Sequence, residues 1–121
     1  MNRFHTQEIE RVVSEAQNGP IPEELSGIIY SLGRDAENDE EYDYAFHLLT
    51  TLSRHHSVSI VSMVIVAYSL LALYHKRLDR AVVEPIIKKA WSSAKGSDKA
   101  RIRDAVDDIN YSLKWKLDIE D

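Results

Sequence analysis

Residues 55–75 read HHSVSIVSMVIVAYSLLALYH, and between Arg54 and Lys76 no Asp, Glu, Lys or Arg interrupts them. In a chain that is 29% charged, this gap decides the architecture. A run of about 20 uncharged residues is long enough to span a bilayer as a helix, or to be the buried central helix of an all-α domain. A membrane span needs a predominantly apolar surface. Here Ser57, Ser59, Ser62, Ser69, Tyr68, Tyr74 and three histidines interrupt the run, and the unbroken apolar part from Met63 to Ala67 is short. A strand is the other rival, because VSIVSMVIV is rich in β-branched residues. One strand alone leaves its edges unpaired. No other segment reads as a strand, and AYSLLALYH favours helix. The run is therefore expected to be a core helix, capped by Ser57 and closed by Lys76-Arg77, where cations suit the helix dipole.

The flanking segments are amphipathic. A first helix is expected over about Thr6–Gln17, with Thr6 as N-cap, a stripe of Ile9, Val12, Val13 and Ala16, and a stop at Asn18-Gly19-Pro20. A second starts near Pro22, buries Leu25, Ile28, Ile29 and Leu32, and is closed by Gly33. A third, capped by Asn38, covers about Asp39–Arg54 with Tyr42, Ala45, Phe46, Leu49 and Leu52 inward. After the uncharged helix, Asp79 caps a fifth over about Arg80–Ala94, which Pro85 should kink. Ser97 caps a sixth, with Ile102, Ala105, Val106, Ile109 and Leu113 in its stripe and a fraying tail, LKWKLDIED. The connections are short, so the fold class is all-α: about six helices in three antiparallel hairpins, within one domain over residues 1–121.

Composition bounds the function. There is no cysteine, hence no disulfide framework and no thiolate ligand or nucleophile. The opening MNRFHTQEIERVV lacks an apolar signal core, which points to the cytoplasm. A net charge of −5 disfavours general nucleic-acid binding.

Sliding the last hairpin back by about 42 residues superposes Ile102, Ala105 and Ile109 on Ile60, Met63 and Ala67. A two-helix repeat of that length is an α-solenoid signature. The segment LDRAVVEPIIKKAW followed by SDKARIRDAVDDI resembles a HEAT repeat: Asp79 opens the first helix, Ala81-Val82 and Pro85 follow, and Ile102-Arg103 with Ala105 match the second. The middle hairpin departs from that pattern, with Val61 in place of the arginine and no proline near Tyr42-Asp43. The resemblance implies a HEAT-like α-solenoid or compact bundle, and a protein-binding scaffold more than an enzyme.

Few residues are arranged for chemistry. Asp39, Asp43 and His47 fall at i, i+4 and i+8 beside Glu40, where oxygen and imidazole ligands suit a divalent metal; one helix supplies the whole set and no Glu-x-x-His partner exists elsewhere, so a solvated acidic helix start is the preferred reading. His55-His56 form a corner, and His75 sits at a helix end. No phosphate loop or nucleophile elbow is present, so neither an enzyme nor a cofactor is expected. Charge patterning says more. Asp35, Glu37, Asp39, Glu40, Glu41 and Asp43 lie within nine residues, and no Lys or Arg occurs between Arg34 and Arg54. Lys76, Arg77, Arg80, Lys88, Lys89, Lys95, Lys99, Arg101 and Arg103 crowd the next stretch. Acids interleaved with Tyr42 and Tyr44 suggest a docking face for a basic protein, made of Asp35, Glu37, Asp39, Glu40, Tyr42, Asp43, Tyr44 and His47. In size, acidity and lack of cysteine the chain also resembles bacterial immunity proteins of contact-dependent inhibition systems. That likeness implies a partner that is a basic toxin domain, often a nuclease. A general α-solenoid adaptor contacted through Lys88–Arg103 and a metal-dependent enzyme are the alternatives.

Overall fold

The computed structural model describes residues 4–119, and six α-helices follow one another in it: α1 (Thr6–Asn18), α2 (Leu25–Asp35), α3 (Asp39–Leu52), α4 (Val58–His75), α5 (Arg80–Ser93) and α6 (Gly96–Leu113). No strand occurs among the described residues. The all-α expectation is met, and the buried side chains form one cluster. Ile9, Val12, Val13 and Ala16 of α1 are buried as the periodicity predicts, and so are Ile102, Ala105, Val106 and Ile109 of α6.

α4 is the centre of the bundle. It lies along α2 and α6 and also packs on α3 and α5. At 18 residues and a mean hydropathy of 1.9 it is long and apolar enough to cross a membrane by length and composition. Here ten of those residues are buried by the neighbouring helices, which is the environment of a core helix. The two buried serines are satisfied locally: the Ser62 hydroxyl donates to the Ser59 carbonyl at 2.7 Å, and that of Ser69 to the Val66 carbonyl. Back-bonding of this kind makes a buried hydroxyl tolerable. Cover is not complete, because Met63, Val66 and Leu70 are only half-buried and Leu73 is exposed. The three helices α2, α4 and α6 form a layer with one open side.

Contacts fix the register of that layer. The Nε2 of His75 bonds the carbonyl of Ala36, which joins the C-terminal ends of α4 and α2. Ser59 donates to Asp98 at 2.9 Å and Arg101 donates to Ser62 at 2.9 Å, which joins the N-terminal ends of α4 and α6. The three helices therefore run side by side in the same sense. All three bonds, and the one from His55 to Ala16, link residues 39 apart, close to the offset of about 42 at which the sequence aligns with itself. α1 packs on α2 and α3, and α5 on α6, whereas α3 and α5 do not pack on each other.

Helix ends follow local chemistry with some corrections. Asn38 caps α3, its side chain accepting the Glu41 N–H at 2.8 Å, and Ser57 caps α4 by accepting from Ile60. α1 begins one residue early: His5 takes the N-cap position, its carbonyl accepting the Ile9 N–H, and Thr6 is inside the helix. Pro22 belongs to a turn closed by the Leu25 N–H on its carbonyl, so α2 begins at Leu25. Asp79 holds the N-cap position of α5 but its side chain makes no cap bond, and Ser97 falls inside α6, which starts at Gly96 with φ 58°. α5 runs continuously through Pro85.

Two corrections are larger. Gly33 does not close α2; it is buried within it, and a Cβ there would sit 2.5 Å from the carbonyl oxygen of Ala67. Glycine is needed for the close approach of two helix backbones. The tail beyond α6 does not fray over the described residues. Lys114 turns the chain at φ 56°, and the Asn110 side chain then accepts the Leu117 N–H and donates to its carbonyl, both at 3.0 Å. Leu117 is buried and Arg80 lies over the Trp115 ring at 5.1 Å. Glu120 and Asp121 lie outside the described residues.

Candidate docking face

The acidic residues of the α2–α3 corner start from the helix cap. Asn38 opens α3, and Asp39, Glu40 and Glu41 fill its first turn, where unsatisfied N–H groups favour negative charge. Glu41 turns inward: it is 2% exposed and its Oε1 accepts the Glu37 N–H at 2.8 Å. It closes the corner, so it is a structural carboxylate. Glu37, Asp39, Glu40, Asp43 and His47 are exposed, and the exposed side of α3 carries no Lys or Arg.

The tyrosines do not join them. Tyr42 is 4% exposed, with its hydroxyl donating to the Arg77 carbonyl at 2.9 Å. Its ring stacks on Phe46 and meets His75 edge-on, and the Arg77 guanidinium covers it at 3.8 Å. A residue so enclosed cannot anchor a partner, and Tyr42 is removed from the docking face. Tyr44 is half-buried, tilted against Phe4, and its hydroxyl donates to Glu10 at 3.2 Å. Burial, then the Glu10 charge, pushes its phenol up to about 12. Tyr44 thus ties a carboxylate of α1 to the edge of the α3 face. Asp35 is turned to Arg34, with two contacts of 2.8 and 3.0 Å.

Two contributors were invisible in the linear charge pattern. Arg77 is distant in sequence yet lies 3.2 Å from Asp39, and Glu10 arrives from α1. Asp39 is 93% exposed, so this ion pair contributes at most a fraction of a kcal/mol and leaves the carboxylate open to a partner.

Asp39, Asp43 and His47 share a side of α3, but eight residues of helix separate the first from the last by about 12 Å along the axis. Among the described residues, no group of three or more His, Asp or Glu side chains is placed to hold a metal ion. The other histidines hold the framework. His55 bonds the Ala16 carbonyl through Nε2 and accepts the Ser57 N–H through Nδ1, and His56 stacks on it at 4.4 Å. Much of the basic stretch is also engaged. Arg80 and Lys88 both reach Glu84 and hold its carboxyl below the usual range. Lys99 and Arg103 lie over the Trp91 ring at 4.5 and 4.9 Å. Arg101 bridges Asp98 and Ser62.

No protein-family model matches the chain, and neither a curated protein nor a solved structure matches it.

Proposed function

We propose that this protein is a non-catalytic protein-binding module, and specifically an immunity protein that captures a basic toxin domain on the exposed face of α3. The observation that carries the reading is the set Glu37, Asp39, Glu40 and Asp43: exposed acids on one helix start, with Arg77 as the cation that reaches them. Beneath them Tyr42, Ala45 and Leu49 are buried, so the face is presented by a rigid element. Such a surface attracts a cationic partner over distance and occupies the site where that partner binds phosphates. The HEAT-like resemblance and the cytoplasmic location stand with this reading as part of the same proposal.

Salt-dependent association tests it. Asp39→Lys, Glu40→Lys and Asp43→Lys together should slow association with the toxin domain by one to two orders of magnitude at low ionic strength. The difference from the unaltered protein should narrow as salt rises. Equal association rates at low salt would remove this face from the interface.

A further inference from the structure

A cavity of about 490 Å³ opens between α3 and α5, over the first turns of α4. It exists because those two helices do not pack on each other, while α1 and α3 do. Short side chains keep it open: Thr50 and Ser53 face it from α3 and its end, Ala81, Pro85 and Ser93 from α5. Its walls include Val58, Val61, Val82, Ile86 and Ala90. Concave sites of a few hundred Å³ with mostly apolar walls and few polar groups are the usual form of a small-ligand pocket.

Charge gives the chemistry. No Asp or Glu lines the cavity, although the chain has 20 acids against 15 bases. Its charged lining is Arg54 and Lys89, with His56 beside them. Among the described residues neither Arg54 nor Lys89 makes an ion pair, in contrast to Arg34, Arg77, Arg80, Lys88 and Arg101. His55 offers only ring carbon, since both of its nitrogens are bonded elsewhere. Unpaired cations at the edge of an apolar cleft complement an anion with an apolar body.

We propose that the α3–α5 cleft binds an amphiphilic monocarboxylate, with the carboxylate between Arg54 and Lys89 and an aliphatic or aromatic body against Val58, Val61, Val82 and Ile86. A guanidinium and an ammonium together provide donors for both carboxylate oxygens. A phosphodiester-sized or polyanionic ligand would find two cations and an apolar floor, a poorer match. This site uses none of the α3 acids, so it stands or falls apart from the toxin-binding reading.

Decanoate is a suitable probe, with decyltrimethylammonium as the cationic comparison of matched chain. In a titration of the full chain followed by methyl NMR, decanoate should shift Val58, Val61, Val82 and Ile86 first, at one equivalent. It should bind at least about tenfold tighter than the cationic amphiphile. Arg54→Gln and Lys89→Gln, both at exposed positions, should each weaken it about tenfold. Ala81→Trp, also exposed, should fill the cleft and abolish the shifts while thermal unfolding stays cooperative. Shifts scattered elsewhere, equal affinity for the cationic amphiphile, or indifference to both cation variants would overturn the proposal. So would a cleft already covered by a second copy, seen as a dimer that Ala81→Trp dissociates, or one that takes an acidic peptide and ignores decanoate.

Discussion

Single residues decide two points that hydrophobic periodicity does not reach. Gly33 lets α2 and α4 touch backbone to backbone. Replacement by Ala would improve helix propensity by about 1 kcal/mol. It would also place a methyl 2.5 Å from a carbonyl oxygen that no rotamer change can move. Overpacking should win, with Gly33→Ala destabilising by about 1–3 kcal/mol in urea unfolding. Tyr68 is fully buried, its hydroxyl 2.7 Å from that of Thr50, and burial pushes its phenol up to about 12. The unfolded phenol ionises near 10. The folded value is the higher one, so this contribution is complete below pH 10 and is lost as pH rises towards 12. Between those limits stability should fall by about 2–3 kcal/mol from this group. Tyr68→Phe should flatten that part of the alkaline profile, measured by unfolding at several pH values, at a cost near 1 kcal/mol at neutral pH. Neither role was legible beforehand. A glycine after an apolar stripe reads as a stop, and only the neighbouring backbone shows that it is a contact.

Helix existence was written plainly in the chain, helix ends less so. The apolar spacing of α1, α3 and α6 and the caps Asn38 and Ser57 are local signals, and the structure carries them. Pro22 and Ser97 are also local signals, yet α2 begins three residues after Pro22 and α6 one residue before Ser97, while Asp79 marks the start of α5 without a side-chain cap bond. Two helices end on a lysine in the left-handed region, Lys76 at φ 57° and Lys114 at φ 56°. A side chain there costs about 1 kcal/mol relative to glycine. Lys76→Gly and Lys114→Gly should each raise stability by up to that amount, read from the denaturation midpoint at constant m-value. The docked tail depends on one amide. Asn110→Ala removes both of its bonds to Leu117 and should release residues 115–119, seen as loss of amide protection at Leu117 while α6 stays protected.

At the scale of the whole molecule, the uncharged run became the axle of the bundle, with α2 and α6 beside it and α3 and α5 packed against it. Its position leaves the outer helices to form the surface, and these carry opposite charge: acids on α3, bases on α5. The acidic face was legible as composition, but its membership was not. Tyr42 left it for the core, and Arg77 and Glu10 joined it from other helices, because side-chain direction and tertiary neighbours are absent from a linear pattern. The central claim is that this face neutralises a basic toxin domain. Coexpression with a basic nuclease toxin domain that this chain binds tests that claim most directly, with growth as the readout. The unaltered protein should restore growth, and the folded Asp39→Lys/Glu40→Lys/Asp43→Lys variant should fail to. Equal protection by the variant would contradict the account.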